Sequence, residues 1–308
     1  MKELVIMSGK GGTGKTSISA ALAYLAPEKV LADCDVDAAN LHLMVGARQR
    51  ESHGFVAGFE PEVNVTECVK CGRCTALCRF KAIDNGAITS PFACEGCGVC
   101  AFNCPAHAIS MRDKSAGRWL VSDTRFGTMV HAELGLAVEN SGKLVSRVRL
   151  ETKKLAEKQK VPLIITDGPP GIGCPAIATV TGADLVLAVV EPSLSAMHDL
   201  ERLRNLCGHF KVPIAVCINK ATLSPANTGA LKESLAANDV PVVGEIAYDS
   251  VFRTAVQTSR TVMEIDNIKV QEKILELWYN LSALLGVTHN ESVVHKLDRK
   301  LKSFAGWV

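Results

Sequence analysis

Apolar positions follow two patterns along the chain. Short apolar runs bounded by turn residues predict buried parallel strands at residues 4–7, 30–32, 163–166, 185–190, 214–218 and 242–246. Longer amphipathic stretches between them predict helices at residues 15–25, 142–158, 196–210, 225–237 and 270–285. Residues 118–140 predict a strand and a turn. The alternation predicts an α/β fold with a doubly wound, mainly parallel sheet.

One segment interrupts this alternation because it concentrates the cysteines. Eight of the 12 cysteines lie between Cys68 and Cys104, and the first four recur after a shift of 26 residues. An Ala-Ile pair recurs at the same shift, at 82–83 and 108–109. The repeat predicts a small α+β unit of two similar halves, packed about a pseudo-two-fold axis. A unit of about 55 residues buries too little surface to fold without metal.

The cysteine segment divides the predicted domains. We expect a discontinuous α/β domain over residues 1–59 and 114–288, an inserted domain over 60–113, and an amphipathic tail over 289–308. The tail combines apolar residues at helical spacing with a basic face and Trp307. Such a helix suits an anionic membrane surface, but docking on its own domain is the commoner fate of an apolar stripe. We therefore predict a packed tail without membrane association.

The composition excludes several classes of protein. With 47% hydrophobic and 21% charged residues among 308, the chain is neither disordered nor fibrous. A net charge of +2 and only 5% aromatic residues predict no nucleic-acid partner. The chain has no run of about 18 apolar residues, so we predict no membrane span. The N-terminus also lacks the apolar region of a signal peptide. We expect a cytoplasmic protein whose cysteines serve metal or redox chemistry.

The loop after the first predicted strand has phosphate-binding chemistry. Residues 9–16 are Gly-Lys-Gly-Gly-Thr-Gly-Lys-Thr, which fits G-x-x-x-x-G-K-[ST] between a strand and a helix. The glycines let backbone N–H groups surround phosphate oxygens, and the helix N-terminus adds its dipole. Lys15 is expected to reach the β- and γ-phosphates, and Thr16 to ligate Mg²⁺. The predicted nucleotide-binding residues of this loop are Gly11, Gly12, Thr13, Gly14, Lys15, Thr16 and Ser17.

A second lysine, Lys10, makes the loop more specific. Residues 10–16 resemble the deviant P-loop of the MinD/ParA/Mrp-type ATPases. In that family the extra lysine reaches across a dimer to the nucleotide of the partner. The resemblance implies a catalytic role in trans for Lys10, binding of ATP or ADP with Mg²⁺, and a nucleotide-dependent homodimer or a dimer with a related ATPase.

Residues 33–41 resemble the first switch segment of the family, with its D-x-D and N-L motifs. The resemblance implies that Asp35 orients the attacking water and that Asp33 supports the Mg²⁺ shell. A carboxylate at a strand's C-terminal end is well placed to hold water in line.

Two later segments also match the family. Residues 167–171, Asp-Gly-Pro-Pro-Gly, resemble its second switch. The resemblance implies that Asp167 holds Mg²⁺ through water and that Gly171 can turn its N–H toward the γ-phosphate. Asn219 and Lys220, at the end of the strand predicted at 214–218, resemble its adenine-contacting position, where an Asn carboxamide can pair with adenine.

Each half of the cysteine segment has the spacing C-x2-C-x2-C-x3-C, as in bacterial-type ferredoxins with two [4Fe–4S] clusters. In that spacing the fourth ligand of each cluster comes from the other half. The predicted ligand sets are Cys68, Cys71, Cys74 and Cys104 for one cluster, and Cys94, Cys97, Cys100 and Cys78 for the other. Zinc also binds C-x2-C units, but it usually pairs two of them across a spacer, so it fits less well.

Nearly the whole chain therefore resembles the MinD-superfamily ATPases that carry an inserted ferredoxin domain. The resemblance implies an ATP-hydrolysing protein that couples its nucleotide state to electron transfer with an unknown redox partner. Two alternatives stay open: an ATP-dependent carrier or scaffold for iron–sulfur clusters, and a redox-sensing positioning ATPase. Cys174 has the offset from Asp167 of a bridging-cluster cysteine in the nitrogenase iron protein. We interpret it as an ordinary loop residue, because no second cysteine accompanies it.

Overall fold

A computed structural model describes residues 1–135 and 141–287. The tail predicted at 289–308 lies outside the described residues. The chain divides into two compact units. Among the described residues, the larger contains Met1–Ser52, Trp119–Glu133 and residues 141–287, and the smaller is mainly His53–Arg118. The smaller unit extends beyond the predicted inserted domain on both sides, so the bounds 60–113 stay a prediction.

The described residues form 11 strands, nine of which belong to one sheet. The strands are β1 (Lys2–Ser8), β2 (Lys29–Asp33), β3 (Arg48–Val63), β4 (Ile83–Asp84), β5 (Ala87–Ile88), β6 (Ile109–Thr124), β7 (Gly127–Leu134), β8 (Leu163–Pro170), β9 (Leu185–Val190), β10 (Ile214–Ile218) and β11 (Val242–Glu245). The order in the large sheet is β11-β10-β9-β1-β8-β2-β7-β6-β3. Strand β1 pairs in parallel with β8 and β9, and β2 pairs in parallel with β8 and β7.

The described residues also form ten α-helices. They are α1 (Lys15–Leu25), α2 (Leu41–Met44), α3 (Arg73–Leu77), α4 (Val99–Phe102), α5 (Ser141–Gln159), α6 (Cys174–Val180), α7 (Leu194–His209), α8 (Pro225–Ala236), α9 (Val251–Gln257) and α10 (Ile268–Leu285). Side chains of Ser193, Ser224 and Asn267 accept N–H groups in the first turns of α7, α8 and α10. No described helix is long and apolar enough to cross a membrane.

Helices cover both faces of the sheet because β1 alternates its side chains between two cores. Leu4 and Ile6 belong to a buried cluster that includes residues of α1 and α10. Val5 and Met7 belong to a second cluster that includes residues of α7 and α8. A strand with both faces buried is a continuous apolar run. The predicted doubly wound, mainly parallel α/β sheet is therefore confirmed.

The sequence pattern missed strands at one end of this sheet. Strand β3 is the last strand in the sheet order, and most of its residues are exposed. It therefore lacks the buried apolar run that marked the central strands. Residues 118–140, predicted as one strand and a turn, contain the end of β6 and all of β7, with a two-residue connection that requires antiparallel neighbours.

The smaller unit repeats in structure as it does in sequence. Helices α3 and α4 start after Gly72 (φ 71°) and Gly98 (φ 75°), which are 26 residues apart. Both Ala-Ile pairs, at 82–83 and 108–109, are buried. Strands β4 and β5 form a separate antiparallel pair.

Candidate nucleotide site and cysteine centres

The phosphate-binding loop spans residues 9–14, between β1 and α1. Gly12 (φ 81°) and Gly14 (φ 93°) have left-handed backbone conformations that favour glycine. A Cβ atom on Gly14 would lie 2.3 Å from Asn219 Nδ2. The glycine at position 14 is therefore required both by its conformation and by a close neighbour.

The loop meets three aspartates at the C-terminal ends of neighbouring strands. Asp33 and Asp167 are register partners on β2 and β8. Lys15 Nζ lies 3.0 Å from Asp167 Oδ1 and 3.6 Å from Asp35 Oδ2. The Thr16 hydroxyl donates to Asp167 Oδ2 at 2.8 Å. The structure thus brings together the lysine, the threonine and the aspartates that the sequence singled out.

These carboxyl groups form a buried acidic cluster around Lys15. Asp33 and Asp167 are both fully buried. Burial and the neighbouring Asp167 raise the pKa of Asp33 to about 8. Burial also raises the pKa of Asp35, although Lys15 opposes this. Burial alone would lower the pKa of Lys15, but the three aspartates together raise it.

The donor set fits a hard divalent cation. Thr16, Asp33 and Asp167 provide a hydroxyl and carboxylate oxygens, which are the ligands that Mg²⁺ prefers. One ammonium group, on Lys15, faces three carboxylates. Burial is the main cause that raises the pKa values of Asp33 and Asp35, and repulsion from Asp167 adds to it. A cation bound there would offset this repulsion.

The second switch segment packs directly against β1. The N–H of Gly171 donates to Ser8 O at 2.9 Å, and Gly171 has a left-handed φ of 82°. A Cβ on Gly168 would lie 2.4 Å from Met7 Sδ. The segment from Asp167 to Gly171 therefore lies in close contact with β1, the strand that precedes the phosphate-binding loop.

Lys10 is held by its own chain in this structure. Its Nζ lies 2.7 Å from Glu191 Oε1 and donates to the hydroxyls of Ser193 at 3.1 Å and Ser195 at 3.2 Å. Burial would raise the pKa of Glu191, but Lys10 and Lys220 lower it. The structure therefore shows an intramolecular partner for the lysine that the family resemblance assigns to a trans contact.

Asn219 and Lys220 support the loop. Asn219 is 3% exposed, donates from Nδ2 to Thr13 O at 2.7 Å, and accepts the Lys220 N–H at 3.0 Å. Lys220 Nζ donates to Gly12 O at 2.8 Å and pairs with Glu191 at 3.0 Å. These two hydrogen bonds use one donor and one acceptor position of the Asn219 carboxamide, which has a second of each.

Two contacts of charged side chains were not predicted from the sequence. Glu191 directly follows β9, so the strand-end rule that selected Asp33 and Asp167 would have found it. The other contact is a buried ion pair, in which Arg149 Nη2 lies 2.6 Å from Glu3 Oε2. Arg149 Nη1 also donates to two carbonyls near the end of α6, Ala178 O at 2.8 Å and Thr181 O at 2.7 Å. A charged residue directly before the apolar run of β1 was its only signal in the sequence.

The eight clustered cysteines surround two cavities. One cavity is lined by Cys78, Cys94, Cys97 and Cys100, and the other by Cys68, Cys71, Cys74 and Cys104. A Cβ on Gly86 would lie 2.5 Å from Cys68 Sγ, so the backbone approaches that thiol closely. Within the described residues, no three or more His, Cys, Asp or Glu side chains are arranged to ligate one single metal ion. Four thiols around a space fit a multi-atom cluster better than a single zinc ion.

Backbone N–H groups point at equivalent thiols in the two halves. The N–H of Ala82 donates to Cys78 Sγ at 3.3 Å, and the N–H of Ala108 donates to Cys104 Sγ at 3.3 Å. Burial would raise the pKa of Cys78, but backbone N–H groups of residues 80–83, led by that of Ala82, lower it. Such donors stabilise a thiolate, which is the form that binds iron.

The remaining cysteines are of two kinds. Cys34, Cys207 and Cys217 are buried, and burial raises the pKa of both Cys207 and Cys217 to about 12. They belong to the hydrophobic core. Cys174 is exposed at the start of α6.

Comparison with known proteins assigns the larger part of the chain. Residues 4–262 match the family model of the CobQ/CobB/MinD/ParA nucleotide binding domain. An uncharacterized protein of Methanocaldococcus jannaschii is 37% identical over 287 residues, which are 92% of this chain and 97% of that protein. The pyruvate synthase subunit PorD of Methanothermobacter marburgensis is 32% identical over 66 residues, 21% of this chain and 82% of that protein.

A solved structure shares the fold. The septum site-determining protein MinD of Pyrococcus horikoshii, complexed with Mg-ADP, matches with a TM-score of 0.56 and 17% identity, covering 92% of this chain and 97% of that chain. The chain belongs to the CobQ/CobB/MinD/ParA nucleotide-binding family and is a P-loop ATPase.

Proposed function

We propose that this ATPase couples its nucleotide state to electron transfer through two [4Fe–4S] clusters. The observation that carries the proposal is that one chain combines a P-loop with two cavities, each lined by four cysteines. Four thiolates are the usual ligand set of such a cluster, and the clusters supply one-electron redox chemistry. The similarity to PorD over 66 residues is further, weaker support.

The proposed nucleotide site uses the residues around Lys15. Residues 11–17 surround the phosphates of ATP or ADP, and Lys15 stabilises the β- and γ-phosphates. Since Lys15 now pairs with Asp167, bound phosphates would take over the lysine and free this carboxylate. Asp167, Asp33 and the Thr16 hydroxyl would then hold Mg²⁺. A MinD protein of the same fold was solved as a complex with Mg-ADP. Asp35 orients the water that attacks the γ-phosphate.

The proposed active form is a nucleotide-dependent homodimer, or a dimer with a related ATPase. Lys10 acts in trans there, so it must leave Glu191 and the two serines that hold it in one chain. Gly171 turns its N–H from Ser8 toward the γ-phosphate, and Asn219 and Lys220 border the adenine. Lys10 and Gly171 thus each exchange a contact within the chain for a contact with the nucleotide.

Two chain connections are suited to transmit the nucleotide state. The first switch, residues 33–41, continues into α2 and β3, and the smaller unit begins at His53. The second switch continues into α6, whose last turn is held by Arg149. We propose that the first connection links ATP hydrolysis to the cysteine centres.

Rapid mixing tests this function. The anaerobically reduced protein is mixed with a one-electron acceptor, with Mg-ATP and without it, and the loss of the reduced EPR signal is followed. We expect the rate of transfer to depend on ATP in the wild type and to be independent of ATP in Lys15→Ala. Equal rates for the wild type with and without ATP would refute the coupling.

A second candidate is favoured by one observation. Cys71 and Cys97, one in each cavity, are exposed, and an exposed ligand is open to exchange with another thiol. This favours a carrier that delivers iron–sulfur clusters to client proteins. Circular dichroism of an added apo-ferredoxin distinguishes the two functions: a carrier transfers its clusters within minutes, whereas an electron-transfer protein retains them.

A further inference from the structure

The two halves of the cysteine repeat differ in charge. Four basic residues accompany the first four cysteines, at positions that carry no lysine or arginine in the second half. The basic residues are Lys70, Arg73, Arg79 and Lys81, and the residues 26 positions later are Gly96, Val99, Pro105 and His107. Because the two halves share their fold, this difference is not needed to build the unit.

The four cations lie at the surface of the unit. All four side chains are exposed, and within the described part of the chain none takes part in an ion pair or side-chain hydrogen bond. Arg112 of the same unit, by contrast, pairs with Glu60 and Glu62 at 3.0 and 3.5 Å. Unpaired surface cations are available to a negatively charged partner.

Two of these cations border one of the cysteine cavities. Lys70 and Arg73, together with Val69, line the cavity that contains Cys68, and no acidic residue lines it. Val69 is 67% exposed. The cavity that contains Cys94 is lined by Glu95 and by no cation. Only one of the two centres therefore opens on a basic surface with an apolar contact.

We propose that an acidic one-electron carrier protein docks on the basic surface formed by Val69, Lys70 and Arg73. This inference rests on the function proposed above and names its partner by charge. Complementary charge speeds association and orients the partner, and the exposed valine supplies a contact that excludes water. One electron would then pass between the carrier and the cluster that Cys68, Cys71, Cys74 and Cys104 would hold. One of the two is oxidised and the other reduced, no covalent bond changes and no proton moves.

Binding kinetics test the docking surface separately from electron transfer. The full chain is immobilised, and its association with an acidic [2Fe–2S] ferredoxin is measured at ionic strengths of about 0.01 M and about 0.15 M, where the Debye length is roughly 30 Å and 8 Å. The basic cytochrome c is the probe of opposite charge. We expect the ferredoxin to associate at least about 10-fold faster at low ionic strength, and cytochrome c to bind poorly.

A charge-reversal pair identifies the surface. Lys70→Glu with Arg73→Glu should slow ferredoxin association about 10-fold or more. Lys211→Glu with Lys269→Glu makes the same change in net charge at two exposed lysines of the larger unit and should have little effect. Equal effects of the two pairs, or preferential binding of cytochrome c, would overturn the proposal. If the ferredoxin binds as expected but exchanges no electron, the docking surface stands and the electron-transfer function fails.

Discussion

Lys15 is held by two carboxylates, and one of them, Asp167, would also serve the proposed Mg²⁺ site. Its ammonium group lies 3.0 Å from Asp167 and 3.6 Å from Asp35. Lys10 is held in the same way by Glu191. At the scale of single residues, both loop lysines thus have carboxylate partners that nucleotide binding would have to replace. Without nucleotide, these carboxylates neutralise the charges of both lysines. The position of each lysine would therefore change when nucleotide binds.

Gly14 and Gly11 form a matched pair in the loop. Gly14→Ala places a Cβ against Asn219 Nδ2 at a left-handed φ of 93°, whereas an alanine at Gly11 meets nothing within 4 Å. The left-handed conformation alone costs about 1–2 kcal/mol. We expect Gly14→Ala to weaken ADP binding about 10-fold or more, and Gly11→Ala to bind nearly as the wild type. Calorimetric titration measures both, and similar affinities for the two variants would contradict the prediction.

Lys10→Ala tests the trans role. If Lys10 contacts the partner's nucleotide, the variant should bind ATP nearly as tightly but hydrolyse it more slowly. Loss of one charge-stabilising group costs about 2.7–4 kcal/mol of transition-state stabilisation, a factor of about 10²–10³. Phosphate release measures turnover, and Lys211→Ala serves as the exposed-lysine control. Turnover of Lys10→Ala at the wild-type rate would exclude the role.

At the scale of elements, Arg149 connects three parts of the larger unit. It lies on α5, pairs with Glu3 on β1 and donates to Ala178 and Thr181 near the end of α6. Thr166 on β8 also donates to Glu3, at 3.1 Å. The helix that follows the second switch is therefore fixed at its far end, and movement of the switch must be taken up closer to Gly171.

Arg149→Met should destabilise the fold, because it leaves the Glu3 carboxylate buried without its main partner. We expect the free energy of unfolding in urea to fall by about 3 kcal/mol. Arg147→Met, on the same helix but exposed, should change it by less than about 1 kcal/mol. Adding Glu3→Gln to Arg149→Met should recover most of the loss. Equal stabilities of Arg149→Met and Arg147→Met would show that the buried pair contributes nothing.

His131 predicts a pH dependence of stability. It is buried on β7, hydrogen bonded to Ser122 and stacked on His42 with ring centroids 5.5 Å apart. Burial and the neighbouring His42 lower the pKa of His131 from 6.5 to about 4. The folded state therefore binds fewer protons than the unfolded state between these values, and stability is lost as the pH falls through this window.

At pH 5 the loss should be about 2 kcal/mol relative to pH 7. Urea unfolding at both pH values measures it. His131→Gln should reduce this pH dependence, whereas the exposed control His209→Gln should retain it. A wild type as stable at pH 5 as at pH 7 would contradict the prediction.

At the scale of the whole molecule, the chain combines two compact units with different stabilising interactions. The larger is built on buried clusters on both faces of a parallel sheet. In the smaller, Cys78 and Cys104 cross between the two halves of the repeat. Replacing Cys78 should therefore disturb the cluster of the second half, and replacing Cys104 should disturb the cluster of the first half.

Cysteine variants test this crossing. The anaerobic protein should contain about eight iron atoms per chain. The reduced EPR spectrum of Cys78→Ser should resemble that of Cys97→Ser and differ from that of Cys71→Ser, because Cys78 and Cys97 line the same cavity. Cys174→Ser is the exposed control and should retain all its iron. Stoichiometric zinc without iron would contradict the cofactor assignment, and a Cys78→Ser spectrum like that of Cys71→Ser would contradict the crossing.

The sequence determined those features that depend on residues close together in the chain. Buried strands such as β9 and β10 were predicted at their observed bounds, because a fully buried parallel strand is a continuous apolar run. The P-loop was clear because a strand, a glycine loop and a helix occur in succession. The spacing of the cysteines predicted the two ligand sets, because three of the four cysteines of each set lie within seven residues.

Only the tertiary structure decided which distant residues meet. Lys10 and Ser193 are 183 residues apart, Asn219 and Thr13 are 206 apart, and Glu3 and Arg149 are 146 apart. No spacing rule predicts such pairs, because the sheet order brings strand ends together irrespective of their separation in sequence. Edge strands such as β3 were missed for a related reason. Exposed on most of its residues, an edge strand is held by backbone hydrogen bonds to a neighbour, and these leave no apolar pattern in the sequence.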